Sequence, residues 1–297
     1  TQLQLTYMTD SLYKALETPR DFTAVYLDVT KYFDRIWHDG LLFKCEHDYF
    51  ITDSLLHWLK SYLTDRRHRV RVGDTLSTSV TIHAGCPQGS ILGPLLALLY
   101  LDGLPDKLTN TALFYADDIS LYASHTPDTL TQVENSLQKD IEAIQNYGQQ
   151  WAITFSPSKT FTQTFTKNKQ HTLPSLKFSG QTIMRTNAHK HLGLTFSEDL
   201  RFQAHVDTIV RKVNIALSPL YPIAKFIPRE ILDTIFKTYI RPHLDYCDCI
   251  YDGHLTISDE LRLERLQNRA ARLVTNALPR TSTAKLRLEL GWDSLKT

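Results

Sequence analysis

Two adjacent carboxylates, Asp117 and Asp118, lie between two runs of aromatic and aliphatic residues. Such flanks predict two short strands with the acids at the turn between them. Like charges repel, and burial raises the cost of keeping both ionised. A divalent cation such as Mg²⁺ removes that cost, because it binds carboxylates together with phosphate oxygens. The pair therefore indicates a metal site that handles phosphates, with a solvated Asp-Asp turn as the alternative.

A third acid, Asp28, lies near the end of a predicted buried strand over residues 21–29. If the strands that carry these acids are neighbours in one sheet, Asp28 lies against Asp117 and Asp118. Three carboxylates are what two divalent ions need for in-line phosphoryl transfer. The alternative role for Asp28 is that of a strand-end or N-cap aspartate.

The elements that must position these acids are predicted from apolar periodicity and turn residues. Helices are predicted over residues 3–17, 53–62, 130–148, 202–217, 228–240 and 259–277. Two more are predicted, one that begins at about residue 41 and one that follows the turn at residue 89 and ends at residue 101. Predicted strands cover residues 21–29, 67–72, 77–83, both arms of a hairpin at 113–123, 151–155, 161–165 and a stretch around 192–196. The chain is therefore expected to divide into a mixed part, residues 1–200, and a helical part, residues 201–297.

Bulk composition is that of an ordinary globular protein, with 297 residues, 42% hydrophobic and 22% charged. The formal net charge is +1, so any affinity for nucleic acid must come from local patches. The longest apolar run, Ile91 to Leu101, is too short to span a bilayer. No secretory signal opens the chain. We therefore expect an intracellular protein, nuclear or cytoplasmic, with no visible targeting signal and no membrane partner.

Several further motifs follow one another in a fixed order. They are Asp28-x-x-x-x-Phe33-Asp34, Pro87-Gln88-Gly89-Ser90-x-x-Gly93-Pro94, Tyr115-Ala116-Asp117-Asp118, the stretch 151–160, His191-Leu192-Gly193-Leu194 and the stretches 241–246 and 263–272. This order and spacing resemble the palm of reverse transcriptases, specifically those of non-LTR (LINE-type) retrotransposons of the jockey and CR1-like groups. The resemblance covers almost the whole chain. It implies an α+β fold: a right-hand polymerase palm, with an antiparallel sheet packed on helices, truncated fingers and a helical thumb-like C-terminal region.

The resemblance also implies roles for individual residues at the metal site. Asp28, Asp117 and Asp118 would ligate the metals, with the carbonyl of Val29 as a further oxygen ligand. Ligation by oxygen alone favours Mg²⁺, with Mn²⁺ as a possible substitute. Lys159 would be a catalytic residue that helps pyrophosphate to leave, as a proton donor or a positive charge; the alternative is an ordinary loop cation.

Four residues would bind the incoming nucleotide. Phe33 corresponds to the position whose ring occupies the space of a ribose 2′-hydroxyl, which would favour deoxynucleotides; the alternative is a core aromatic. Gln88 and Gly89 lie in the turn before an apolar helix, where glycine permits close backbone approach and helix amides suit phosphate. Tyr115 would line the primer terminus beside the metals.

Two groups of arginines could bind nucleic acid through its phosphates. The first group is Arg67, Arg69 and Arg71, on one face of a predicted strand. The second is Arg262, Arg265, Arg269 and Arg272, at 3-4-3 spacing on the helix predicted over residues 259–277. For the second group, a solvated helix face is the alternative.

The function implied is RNA-directed DNA polymerase, with an RNA template, a DNA primer or target and deoxynucleoside triphosphates as partners. Two alternatives stay open. One is a catalytically inactive, nucleic-acid-binding relic of a retrotransposon reading frame. The other is a metal-dependent phosphohydrolase or nuclease, which leaves the turn at Pro87-Gln88-Gly89 unexplained. The chain opens after the point where the family carries most of its fingers, so we expect a piece of a longer polypeptide in which triphosphate positioning is incomplete.

Overall fold

The computed structural model describes residues 1–168, 172–278 and 280–295. The chain divides into two compact units. The first unit is Ser11–Thr186, and the second unit combines Thr1–Asp10 with Asn187–Thr297. Within the described ranges, no helix is both long enough and apolar enough to cross a membrane.

The first unit contains helices and a sheet. Its helices are α1 (Gln2–Glu17, whose first turns belong to the second unit), α2 (Tyr32–Arg35), α3 (His38–His47), α4 (Asp53–Leu63), α5 (Leu92–Leu101) and α6 (Leu130–Gln150). Its strands are β1 (Asp21–Asp28), β2 (Arg67–His68), β3 (Arg71–Val72), β4 (Thr75–Leu76), β5 (Val80–Thr81), β6 (Thr111–Tyr115), β7 (Asp118–His125), β8 (Phe161–Phe165), β9 (Lys177–Phe178), β10 (Gln181–Thr182) and β11 (Met184–Arg185). Short 3₁₀ helices occupy Pro105–Lys107, Pro127–Thr129 and Pro157–Lys159.

Five strands form one sheet in the order β11-β8-β1-β7-β6. The pairs β8–β1, β1–β7 and β7–β6 are antiparallel, and only β11 runs parallel to its neighbour. The central strand β1 is buried along its length up to Asp28, as its apolar run predicts. The α+β class and the antiparallel sheet packed on helices are therefore confirmed.

The core of the first unit joins this sheet to three helices. It contains Val25, Leu27, Ile119 and Leu121 from the sheet, Leu41 and Cys45 from α3, Leu96 and Tyr100 from α5, and Leu137, Ile141 and Ile144 from α6. Burying such side chains contributes roughly 1.5–3 kcal/mol each for the larger ones. The core therefore holds the adjoining ends of β1 and β7 in a fixed position.

Three of the predicted strands are wrong. Residues 67–72 do not form one strand, because the hairpin β2–β5 contains a bulge in which Ser77–Ser79 oppose only Arg69–Val70. The same bulge shortens the predicted strand at 77–83 to Val80–Thr81. Residues 151–155 turn instead, because Ala152 has a φ of +52° and the Ile153 amide donates to the Gly148 carbonyl at the end of α6.

The second unit is mainly helical. Its helices are α7 (Gln203–Leu217), α8 (Arg229–Ile235), α9 (Pro242–Asp245), α10 (Asp248–Tyr251), α11 (Ile257–Thr275) and α12 (Thr283–Leu290). A hairpin of β12 (Ala188–His191) and β13 (Leu194–Ser197), a π-helical turn at Phe236–Ile240 and 3₁₀ helices at Ser218–Leu220, Ala224–Phe226 and Asp252–His254 complete it. Because β13 packs on α7, the division between the units falls at Thr186–Asn187, ahead of residue 200.

Candidate active site

The hairpin β6–β7 carries the two adjacent acids. Tyr115 pairs with Asp118, so the loop contains only Ala116 and Asp117. Ala116 has a φ of +53°, which tight two-residue loops require and which costs an alanine about 1–2 kcal/mol. Asp117 thus lies in the turn, as the sequence predicts, whereas Asp118 is already the first residue of β7.

Asp28 meets Asp118 across the sheet. The antiparallel register of β1 and β7 pairs these two residues directly, which places their Cα atoms about 4.5–5.5 Å apart. Partial desolvation by the surrounding protein raises the pKa of Asp118, and the charges of Asp117 and then Asp28 raise it further. The Asp118 side chain is nevertheless exposed, so a cation can reach it from solvent. The register of the sheet therefore brings the three carboxylates close enough for the charges of Asp28 and Asp117 to act on Asp118.

Lys159 supplies a positive charge at this cluster. Its Nζ lies 3.3 Å from Oδ2 of Asp28, at the end of the Pro157–Lys159 helix. This segment is held in place because the Ser156 amide donates to the Asp28 carbonyl at 2.9 Å. In the antiparallel bridge between Val29 and Phe155, the Asp28 carbonyl accepts from Ser156 and the Thr30 amide donates to the Thr154 carbonyl. The Val29 carbonyl takes no part in this bridge.

The donor set of the cluster suits a hard divalent cation. Asp28, Asp117, Asp118 and the Val29 carbonyl offer oxygen ligands alone. Burial, and then the charges of Asp117 and Asp28, raise the pKa of Asp118, and a bound cation would favour the ionised form that these effects oppose. In the part of the chain that the structure describes, no three His, Cys, Asp or Glu side chains are already grouped closely enough to hold an ion. The carboxylates would therefore have to draw together around it.

We expect Asp118→Asn to stabilise the metal-free protein slightly at pH 7, by less than about 1 kcal/mol because exposed charges are screened. The folded-state pKa of Asp118 lies above its unfolded value, so its ionised form destabilises the fold at neutral pH. That penalty fades as the pH falls through the folded pKa, and the difference between variant and wild type should fade with it. Thermal unfolding with a chelator, from pH 7 to pH 4, measures this. Asp106→Asn, the same substitution at another exposed acid, is the control. If Asp118→Asn were less stable than wild type at pH 7, ionised Asp118 would not destabilise the fold.

The loop before α5 lies against α2 and brings Gln88 to Asp34, the residue that follows Phe33 in the chain. Gln88 Nε2 donates to Oδ1 of Asp34 at 2.7 Å, and the Cys86 amide donates to the Phe33 carbonyl at 2.8 Å. Phe33 is half-buried, with its ring 5.7 Å from that of Tyr32 in an edge-to-face contact. Sequence reasoning assigned no role to Asp34, although it directly follows Phe33 in the same motif.

Gly85 makes this close approach possible. Its φ is +89°, and a Cβ at this position would lie 2.7 Å from the backbone oxygen of Asp34. Gly85→Ala is therefore expected to cost about 2–4 kcal/mol of unfolding free energy, from strain and overlap together. Urea unfolding followed by circular dichroism measures this. Gly73→Ala is the matched control, because Gly73 has a φ of +58° with open space around it, so only the strain of about 1–2 kcal/mol applies. Equal costs would refute the role of the contact.

The remaining nucleotide-site candidates lie on the same unit. Gly89 is exposed at a φ of +77°, in the turn that leads into α5. Ser90 fixes that turn, since its hydroxyl donates to the Pro87 carbonyl at 2.8 Å and accepts from the Gly93 amide at 3.0 Å. Tyr115 is 44% exposed at the end of β6, directly opposite Asp118.

The two arginine groups fall in different units. Arg67, Arg69 and Arg71 are exposed on the bulged hairpin of the first unit. In the second unit, Arg262 donates to Asp259 at 2.8 Å and to Asp207 of α7 at 2.5 Å.

The other α11 arginines differ in their contacts. Arg269 donates to Asn214 of α7 at 2.9 Å. Arg272 is half-buried, whereas Arg265 is exposed. The predicted basic stripe is therefore used in part to pack α11 on α7, through Arg262 and Arg269.

Comparison with known sequences identifies the family. A family described as "Reverse transcriptase (RNA-dependent DNA polymerase)" matches residues 3–196. The chain belongs to this family. The match contains Asp28, Asp117, Asp118 and Lys159, and it ends before α11. Membership implies a requirement for a divalent metal.

Individual relatives come from mobile elements, in agreement with the predicted non-LTR group. The RNA-directed DNA polymerase from mobile element jockey of Drosophila funebris is 27% identical over 249 residues, covering 80% of this chain and 27% of that protein. The probable RNA-directed DNA polymerase from transposon X-element of Drosophila melanogaster is 29% identical over 288 residues, covering 92% of this chain and 30% of that protein. Among solved structures, apo telomerase from Candida tropicalis aligns with a TM-score of 0.49 at 12% identity, covering 97% of this chain and 46% of that chain. The chain thus spans less than a third of the length of these two curated relatives.

Proposed function

We propose that this chain is the palm-bearing part of an RNA-directed DNA polymerase of a non-LTR retrotransposon. Residues 1–200 would be the palm with a remnant of the fingers, and residues 201–297 the thumb-like region. The observation that carries the proposal is the register of β1 and β7, which pairs Asp28 with Asp118 beside the turn that holds Asp117. Membership of the reverse transcriptase family supports this interpretation of the three acids.

The reaction would be attack of a primer 3′-hydroxyl on the α-phosphate of a deoxynucleoside triphosphate, with release of pyrophosphate. Asp28, Asp117, Asp118 and the Val29 carbonyl would hold Mg²⁺, or Mn²⁺ in its place. Two such ions, when bound, would lower the pKa of the attacking hydroxyl and neutralise charge on the leaving group. The carboxylates contribute orientation, because the register of the sheet sets their spacing.

The nucleotide would lie between the hairpin turn and the loop before α5. Phe33 would exclude a ribose 2′-hydroxyl, and Gln88 and Gly89 would line the nucleotide from the loop. Asp34 accepts from Gln88 Nε2, so the amide oxygen of Gln88 would be the atom available to the nucleotide. Tyr115 would lie at the primer terminus.

The template and the primer would lie on surfaces with exposed cations. Arg67, Arg69 and Arg71 are all exposed and suit phosphate contacts, as does Arg265 on α11. Arg71 also lies 3.8 Å from Asp74, an exposed ion pair that a phosphate could displace. Arg262, Arg269 and Arg272 would contribute less, because contacts within the second unit already engage them.

Lys159 would act on the leaving pyrophosphate once the carboxylates engage a cation and release its ion pair. Lys159→Ala is expected to lower the rate of nucleotide incorporation about 10²-fold with little change in template affinity, as loss of a general acid or a positioned charge does. Single-turnover primer extension measures the rate. Lys159→Arg separates the two roles: recovery indicates charge, and no recovery indicates proton donation. Lys107→Ala, at an exposed lysine, is the control; an unaffected rate in Lys159→Ala would exclude both roles.

Primer extension tests the proposed function itself. The 297-residue chain, Mg²⁺, deoxynucleotides and a DNA primer on an RNA template are expected to yield primers longer by one nucleotide at a time, with pyrophosphate released in step. Template binding without extension at high protein concentration would favour the inactive relic. Primer shortening would favour a nuclease.

A further inference from the structure

Asp34 is an acid beside the nucleotide-site candidates to which the proposed chemistry gives no role. Its Oδ1 accepts from Nε2 of Gln88 at 2.7 Å, and both side chains are exposed. No lysine, arginine or histidine in the described part of the chain forms an ion pair with it. Burial, Asp117 and Asp28 raise the pKa of Asp118, and Asp34 is not among these causes. Asp34 therefore lies apart from the three carboxylates, and its partner is an amide.

The chemistry of this hydrogen bond allows only one orientation of the Gln88 amide. A glutamine amide has a donor nitrogen on one side and an acceptor oxygen on the other, whereas a carboxylate at neutral pH only accepts. With Nε2 toward Asp34, the two groups form the hydrogen bond of 2.7 Å. With Oε1 toward Asp34, two acceptor oxygens would face each other and repel. Asp34 therefore keeps Nε2 on its own side and directs Oε1 of Gln88 away from itself.

Main-chain contacts hold the loop before α5 against α2 without help from this side-chain bond. The Gly85 amide donates to the Ile36 carbonyl, and the Cys86 amide donates to the Phe33 carbonyl, both at 2.8 Å. A ring nitrogen of the buried His38 also lies 2.8 Å from the Gly85 carbonyl. Removing the carboxylate at position 34 should therefore leave the loop in place and release only the amide of Gln88.

The outward oxygen of Gln88 limits which group of a nucleotide it can meet. Oε1 is an acceptor, so it repels the phosphate oxygens of a triphosphate, which are acceptors as well. The sugar of a deoxynucleotide carries one hydroxyl donor, at the 3′ position. Phe33, which precedes Asp34 in the chain, is the residue whose ring would exclude a 2′-hydroxyl from the same sugar. The 3′-hydroxyl is therefore the donor that suits Oε1 at this site.

We propose that Asp34 is a positioning residue of the nucleotide site. By accepting from Nε2, it keeps Oε1 of Gln88 turned toward the nucleotide, where Oε1 accepts from the 3′-hydroxyl of the sugar. Asp34 acts through Gln88 and makes no contact with the substrate itself. The assignment of a nucleotide to this site rests on the proposed function, whereas the orientation of the amide does not.

A nucleotide whose 3′ group only accepts tests the polarity of Gln88. Affinity is measured on a primer–template whose primer lacks a 3′-hydroxyl, for the natural deoxynucleotide and for its 3′-fluoro analogue. Wild type should bind the natural deoxynucleotide about tenfold more tightly, because the hydroxyl donates to Oε1 whereas the fluorine meets another acceptor. In Asp34→Asn the amide at position 34 both donates and accepts, so Gln88 can turn Nε2 toward the fluorine. The preference should then fall to about threefold or less.

A second substitution should restore the polarity, because Asp34 acts through Gln88. Asp34→Asn combined with Gln88→Glu keeps the net charge of the pair, and either carboxylate oxygen at position 88 presents an acceptor to the sugar. The double variant should regain the preference of about tenfold, and Asp106→Asn, the control at an exposed acid, should never lose it. A wild-type preference in Asp34→Asn, or no recovery in the double variant, would overturn the proposal. Loosening of the loop alone would weaken the binding of both nucleotides alike.

Nuclear magnetic resonance tests the orientation in the free protein. In protein with ¹⁵N-labelled glutamine, the Nε2 signals of Gln88 are identified by their absence from Gln88→Glu. Asp34→Ala should move these signals toward those of a glutamine bonded only to water, and Asp106→Asn should leave them unchanged. Unchanged Gln88 signals in Asp34→Ala would overturn the control of the amide by Asp34. Failure of wild type to bind either nucleotide would overturn the sugar contact together with the proposed function, whereas the signals of Gln88 report its orientation without a nucleotide.

Discussion

Asp117→Asn is expected to lower the rate of single-nucleotide incorporation by about 10³-fold or more, equivalent to roughly 4 kcal/mol of transition-state stabilisation. The amide keeps the shape of the carboxylate but removes the charge that would hold a divalent cation. The turn should tolerate the change, because asparagine adopts turn conformations as readily as aspartate. Rapid-quench primer extension on an RNA template measures the rate.

The control for this variant is Asp106→Asn, which makes the same change at an exposed acid of the Pro105–Lys107 helix. It should retain the wild-type rate. Equal template affinity in both variants would show that the loss at Asp117 lies in the chemical step. A rate for Asp117→Asn within threefold of wild type would remove Asp117 from the reaction.

Phe33→Val is expected to raise the use of ribonucleotides relative to deoxynucleotides about 10²-fold. A smaller side chain leaves room for the 2′-hydroxyl, and removing a steric clash changes selectivity more than it changes the rate with the preferred substrate. Because Phe33 is only half-buried, the cost in stability should stay near 1–2 kcal/mol. The ratio of incorporation efficiencies for each nucleotide and its deoxy counterpart measures the effect.

Tyr32→Phe serves as the control for general loosening of α2. The Tyr32 hydroxyl donates to the Ala97 carbonyl, so this variant loses a buried hydrogen bond next to Phe33 without enlarging the nucleotide site. It should lose about 1 kcal/mol of stability and keep its preference for deoxynucleotides. An unchanged sugar preference in Phe33→Val would assign Phe33 to the core alone.

Sequence reasoning works best here where local pattern and tertiary structure agree. The apolar run of β1 becomes a central buried strand, and the two apolar runs around the Asp-Asp pair become the arms of a hairpin whose two-residue loop, Ala116 and Asp117, contains the first acid. Leu137, Ile141 and Ile144, at helical spacing, are fully buried along α6. In each case residues close in the chain determine the outcome, since periodicity and turn chemistry are local properties.

Sequence reasoning fails where a distant residue decides the outcome. Helical spacing alone cannot show whether an arginine faces solvent or a neighbouring helix. Arg262 binds Asp207, 55 residues away, and so serves packing as much as charge. The bulge in the β2–β5 hairpin likewise depends on register between strands, which alternation within one strand does not reveal.

Divalent-cation binding at the carboxylates tests the central claim most directly. The titration uses Mn²⁺, followed by electron paramagnetic resonance, with a primer–template whose primer lacks a 3′-hydroxyl and with the next deoxynucleotide present. Wild type should bind Mn²⁺ at least about tenfold more tightly than Asp28→Asn or Asp117→Asn, with Asp106→Asn unchanged. Equal Mn²⁺ affinity in wild type and in both carboxylate variants would contradict a metal site built from Asp28, Asp117 and Asp118.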